Sequence, residues 1–163
     1  FDVDIFSIDI DGIDYWIVDQ LDFSNIKIFV AEYNPIYGPD MEVTVPNLEN
    51  FNRNDYHYSN LCYGMSLMAL KNIMIKKNFY LIGTNSTKNN AFFISEKFKQ
   101  NEYFPNIKIK NLDYYTDYNY RESRDKNHEL NYISGKNRIN EIKDCNVVDL
   151  KDNRKIKKIS ELI

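Results

Sequence analysis

Between Asp4 and Pro35 two apolar runs, each ending in acidic residues, flank a stretch with helical spacing, and no other feature of the chain narrows its possible folds as far. The first run, Asp4-Ile5-Phe6-Ser7-Ile8-Asp9-Ile10-Asp11-Gly12, has the composition of a buried strand that delivers carboxylates to its C-terminal edge. Ile13, Trp16, Ile17 and Leu21 then fall on one helical face, which predicts a helix over roughly 13–22. A second apolar run, Ile26-Lys27-Ile28-Phe29-Val30-Ala31, ends at Glu32-Tyr33-Asn34-Pro35. Strand, helix, strand at this spacing is a βαβ unit with two parallel strands, and it places the chain in the α/β class.

Downstream, residues 35–63 are rich in Pro, Asn, Asp and Tyr, with one short extended piece at Val43-Thr44-Val45. That is too long for a plain connector, and its aromatics (Tyr37, Phe51, Tyr56, Tyr58, Tyr63) predict an ordered lid. Leu67, Leu70, Ile73 and Met74 mark a helix over 66–77, with Ser66 at its N-cap position. Phe79-Tyr80-Leu81-Ile82-Gly83 and Ala91-Phe92-Phe93-Ile94, joined by a polar turn at 84–89, predict an antiparallel hairpin that closes an otherwise mostly parallel sheet. Beyond Pro105 the pattern weakens to a strand near 129–133, a helix near 136–143 opened by Ser134, and a short strand at Val147-Val148-Asp149-Leu150. The expected organisation is therefore a half-sheet domain over 1–104 and an extension over 105–163 that packs on it or is partly flexible.

The 163 residues are 43% apolar and 15% aromatic, enough for one real core. No run approaches the ~20 apolar residues of a membrane span, so the chain reads as soluble and without a span, and, with its thiols reduced, as cytoplasmic. Residues 1–104 carry 8 Lys or Arg against 14 Asp or Glu, which repels polyanions and argues against a nucleic-acid partner. The Lys-rich end at Lys155, Lys157 and Lys158 reads as a solvated tail. Cys62 and Cys145 stand far apart and match neither a disulfide framework nor metal-ligand spacing, so they read as two reduced thiols. Phe1 is followed at once by strand-like residues, as at a cut edge.

Several phrases taken in order, Ser7-Ile8-Asp9-Ile10-Asp11-Gly12-Ile13-Asp14-Tyr15-Trp16, Ala31-Glu32-Tyr33-Asn34-Pro35, Tyr63-Gly64-Met65-Ser66-Leu67 and Asn89-Asn90-Ala91-Phe92-Phe93, resemble the FkbM-like S-adenosylmethionine-dependent methyltransferases. Tyr120-Arg121-Glu122-Ser123-Arg124-Asp125 resembles a tail phrase of the same group. The resemblance implies the C-terminal half of a Rossmann-like class I methyltransferase sheet. It also implies a cofactor, S-adenosylmethionine, whose glycine-rich turn and ribose-binding acid belong to strands that would precede Val3.

In open α/β sheets ligands sit beyond the carboxyl ends of the strands. Asp9 and Asp11 end one strand, and Glu32 and Asn34 end its neighbour, so these four residues are candidate ligands for Mg2+, as the resemblance to magnesium-dependent O-methyltransferases also implies. The alternative is that Asp9 and Asp11 cap the following helix. Asp11 and His57 are the candidate general bases for a hydroxyl acceptor, with a surface histidine of no special role as the alternative for His57. Asp9 and Tyr15 are the candidate cofactor contacts, Tyr15 together with Trp16 at the adenine, although aromatics on a crossover helix commonly belong to the core. The expected activity is O-methylation of a small or glycan hydroxyl acceptor. Its alternatives are a non-catalytic α/β module of a glycan or polysaccharide assembly and another Rossmann-like sugar-nucleotide enzyme.

Overall fold

The structure, a computed structural model, describes residues 2–99 and 122–163. Strand β1 (Val3–Ile8), helix α1 (Asp14–Gln20) and strand β2 (Ile26–Glu32) form the βαβ unit, and β1 pairs with β2 in parallel. After a 3-10 turn at Pro35–Tyr37 come the two-residue strand β3 (Val43–Thr44), the short helix α2 (Arg53–Tyr56), and α3 (Leu67–Lys76). The hairpin is β4 (Phe79–Thr84) and β5 (Asn90–Ser95), followed by α4 (Glu96–Lys99), α5 (Lys136–Glu141), β6 (Asn146–Asp149) and β7 (Lys155–Lys158).

Strands β1-β2-β5-β4 make a four-stranded mixed sheet. The antiparallel hairpin is present, but β5 inserts between β2 and β4 and runs against both, so one pairing of the sheet is parallel and the other two are antiparallel. The sheet is thus mixed, not mostly parallel as its strands predict one by one, because the hairpin folds back onto β2 and does not extend the edge. Reversal at β5 leaves β1, β2 and β4 running the same way, with their carboxyl ends along one edge.

One face of this sheet is covered by α1 and α3. Tyr15 and Val18 of α1 and Leu70, Ile73 and Met74 of α3 bury against Phe29, Ala31, Phe79 and Phe93. Phe29 anchors the cluster: it is fully buried, with Phe23 edge-on at 4.9 Å and Phe6 and Phe93 at 6.0 and 6.3 Å. Burial of one such ring is worth about 1.5–3 kcal/mol, and each well-placed aromatic neighbour adds about 0.5–1.5 kcal/mol.

Residues 35–63 build a second cluster with the end of the chain. Tyr37, Val43, Val45, Leu61 and Cys62 bury with Ile142, Cys145, Val147 and Ile159, and β3 pairs antiparallel with β6, which pairs with β7. The Lys-rich end is therefore not a solvated tail. Lys155–Lys158 is an edge strand in which Lys157 bridges Asp149 at 2.8 Å and Asp152 at 2.9 Å, and its exposed charges protect the open edge. Two further expectations change. The N-cap position of α5 is Gly135, whose backbone has φ 56°, with no side-chain cap from Ser134, and the stretch 129–133 forms only an isolated bridge, Leu130 to Arg124. The part of the expected extension that spans 105–121, with the start of the tail phrase at Tyr120, lies outside the described residues.

Candidate functional site

The carboxyl ends of β1 and β2 bring three of the four expected ligands together. Asp9, Asp11 and Glu32 each offer a carboxylate oxygen, and these oxygens lie within 4.8 Å of one another. Asp9 and Asp11 are exposed, whereas Glu32 is 4% exposed and forms the floor of the group. Asn89, in the β4–β5 turn, donates an amide hydrogen bond to Glu32 at 3.4 Å, and its backbone carbonyl accepts from Tyr33 at 2.8 Å. The turn itself is tied by Asn85, which accepts from the backbone N–H groups of Asn89 and Asn90.

The turn from β1 into α1 is built by a residue that spacing did not single out. Neither Asp9 nor Asp11 caps α1, whose N-cap position is Ile13 with no side-chain bond. Asp14 folds back instead, and its buried carboxylate accepts from the N–H groups of Ile10 and Gly12, both at 3.0 Å. Burial raises its pKa against the pull of those two bonds. Asp11 takes a left-handed backbone, φ 54°, which aspartate tolerates better than most residues and which swings its side chain towards the lid.

There Asp11 meets Arg53, the only Lys or Arg between residues 35 and 63, in a close ion pair. The guanidinium also lies 4.6 Å from the centre of the Tyr63 ring. Two residues earlier, Phe51 covers Gly12 so closely that a Cβ there would sit 2.8 Å from the ring. Residues 51–53 thus rest on the β1–α1 turn through one apolar and one ionic contact. Arg53 was legible only as a lone cation in an acidic loop, and Asn89 only as part of a quoted phrase. The partner of each is fixed by the fold, not by spacing.

Asn34 does not join the carboxylates. It is fully buried, its amide donates to the carbonyls of Leu61 at 2.8 Å and Tyr63 at 3.1 Å, and its oxygen accepts from the N–H of Ile36 at 3.1 Å. Its side chain fastens the start of the lid to its end, with its oxygen turned to the Ile36 N–H. Tyr15 is 5% exposed within the first cluster, edge-on to Trp16 at 5.4 Å, and so does not border an open crevice. Trp16 donates its indole N–H to the carbonyl of Val45 at 2.8 Å.

His57, half-buried after α2, faces Ser59, Tyr58 and the charges of Glu141 and Asp144; none of the three clustered carboxylates is among these neighbours. Its Nδ1 accepts from the backbone N–H of Ser59 at 3.3 Å, so the Ser59 hydroxyl, 2.7 Å away, donates to the same nitrogen. The one basic lone pair of the ring is therefore already in use. Burial lowers its pKa, against the opposing pull of the Glu141 and Asp144 carboxylates.

Clefts of about 540 and 520 Å3 open away from the carboxylates. The first lies where β2 and β4 begin, beside Phe23, Lys77 and Phe79, and the second between Pro35–Met41 and Arg138. No helix among the described residues is long and apolar enough to cross a membrane. No family model, curated protein or solved structure matches the chain.

Proposed function

We propose that this chain is the acceptor-side half of an S-adenosylmethionine-dependent O-methyltransferase of the FkbM-like kind, acting on a small or carbohydrate-like hydroxyl. The observation that carries this reading is the convergence of Asp9, Asp11 and Glu32 within 4.8 Å at the carboxyl ends of two parallel strands. Exposed Asp9 and Asp11 are poised to accept the proton that a hydroxyl loses as its oxygen attacks a methyl group, while buried Glu32 lies beneath them.

The donor set also suits Mg2+. Three carboxylate oxygens within 4.8 Å of one another are the hard oxygen donors that this ion favours. When bound, such an ion lowers the pKa of a coordinated hydroxyl. Asp9, Asp11 and Glu32 would hold it, with Arg53 withdrawn from, or sharing, the Asp11 carboxylate. For S-adenosylmethionine the fit is poor. The sequence has no glycine-rich turn, Tyr15 is buried, and of the expected contacts only Asp9 is open to a ligand. On this reading the sulfonium cofactor is held chiefly by residues other than those described.

Calorimetric titration with S-adenosylhomocysteine of this chain and of the full-length gene product tests the reading. Binding by the full-length product and weak or no binding by this chain is expected. Binding by neither sinks the methyltransferase reading and leaves its rival, a non-catalytic α/β module of a glycan assembly. One observation favours that rival: the cation already seated at Asp11 is the chain's own Arg53.

A further inference from the structure

Cys62 and Cys145, 83 positions apart in the sequence, meet in the folded chain. Cys62 ends the lid and Cys145 stands between α5 and β6, and both are buried in the second cluster, at 0% and 7% exposure. Both side chains pack into the same buried cluster and interact with each other, and the Tyr37 hydroxyl lies 3.8 Å from the Cys62 sulfur. Their backbones belong to different parts of the cluster. Cys145 accepts the N–H of Ile159 at 3.1 Å and donates to Ile142 at 2.9 Å, whereas the neighbours of Cys62, Leu61 and Tyr63, are held through their carbonyls by Asn34. A bond between the two sulfurs would therefore tie the lid to the C-terminal sheet, and the sheet β3-β6-β7 already holds the two segments in register.

We propose that Cys62 and Cys145 form a reversible intramolecular disulfide that locks residues 35–63 onto the C-terminal segment when the protein meets a hydroperoxide. Cys145, the less buried of the two, is the sulfur that reacts first. Its thiolate attacks one oxygen of hydrogen peroxide, the O–O bond breaks, and the other oxygen leaves as hydroxide and takes up a proton as water, so that Cys145 becomes a sulfenic acid. The Cys62 sulfur then attacks the Cys145 sulfur, the S–O bond breaks, and the departing oxygen takes the Cys62 proton and leaves as a second water. Two thiols lose two electrons and two protons, and one peroxide is reduced. A dithiol reverses the step. The electrostatics agree with this order, because the neighbouring thiol and burial hold Cys62 protonated while the same contact favours the thiolate at Cys145.

The bond would close a loop of roughly 80 residues, a length at which a strain-free disulfide raises the melting midpoint of a chain this size by about 10 °C. The test is hydrogen peroxide titration of the native protein, followed by intact mass, non-reducing peptide mapping and thermal melting before and after dithiothreitol. Loss of two hydrogens, a linked Cys62–Cys145 peptide in monomeric protein and a raised midpoint that dithiothreitol abolishes are expected. Cys145→Ser and Cys62→Ala should each lack the midpoint shift. Wild-type mapping decides the matter even where a variant folds poorly. Two free thiols after treatment, separate conversion of either cysteine to a sulfinic acid, or linkage only between chains would each overturn the proposal.

Discussion

Asp14 shapes the β1–α1 turn in a way that neither Asp9 nor Asp11 does. Its two carboxylate oxygens take the N–H groups of Ile10 and Gly12, so the strand end is pinned and the side chains of Asp9 and Asp11 stay free to face Glu32 and Arg53. Asparagine keeps the shape but offers one acceptor oxygen, and one buried N–H would lose its partner. Asp14→Asn should therefore cost about 1–3 kcal/mol at neutral pH, read from the shift in urea midpoint. The pH dependence of that cost has a definite sign. Because burial raises the pKa of Asp14 above its ordinary 3.8, the native state binds this proton more tightly than the unfolded chain, and ionisation favours unfolding. What the protonated form contributes is complete below 3.8 and is lost as the pH climbs past it. The stability advantage of wild type over the variant should accordingly narrow as pH rises from about 3.8, and a gap that widens would contradict a raised pKa.

Among the elements, α3 shows how far a local signal reaches. Ser66 was legible as its N-cap, and its hydroxyl does accept from Ala69 N–H at 3.1 Å. The same oxygen also accepts from Val43 N–H at 3.2 Å, which couples the helix to the second sheet. Ser66→Ala should thus cost more than an ordinary cap loss, about 2 kcal/mol or above, since two buried donors are orphaned. Lys76→Ala, at an exposed position in the last turn of the same helix, should stay within about 0.5 kcal/mol, and equal losses in chemical denaturation would refute the coupling. Elements whose period is local were legible in this way: α1, α3, β2 and the β4–β5 hairpin all form where spacing predicts them. Features that depend on distant partners were not. The insertion of β5 beside β2, the pairing of Val43 with Asp149, the contact of Cys62 with Cys145, and the strand hidden in Lys155–Lys158 each need a neighbour remote in sequence. The candidate site divides the same way. Its carboxylates followed from the strand ends, whereas the diversion of Asn34, the burial of Tyr15 and the arrival of Arg53 follow from how the lid closes.

At the scale of the whole molecule, the two clusters are joined by backbone as well as side chains. Ser66 N–H donates to Val43 at 2.9 Å, Val45 N–H to Gly64 at 3.0 Å and Asn34 N–H to Met65 at 2.7 Å, so β3 is stitched to the segment that leads into α3. Trp16, the only tryptophan, reaches from α1 to the Val45 carbonyl, and the Arg154 guanidinium from the C-terminal segment lies 5.5 Å from its ring centre. Its indole therefore sits where the first cluster meets the second. Breaking either cluster alone would expose apolar surface on the other and strand several of these N–H groups, so neither gains by opening first. A urea titration followed by the emission of Trp16 and by far-ultraviolet circular dichroism should give one coincident transition. The indole reports the junction, and the dichroism reports both sheets and all helices. If emission changed at lower urea than the dichroism, the lid and the C-terminal sheet would be a separate unit resting on the βαβ half, and the carboxylate cluster would then survive the loss of Arg53 from Asp11.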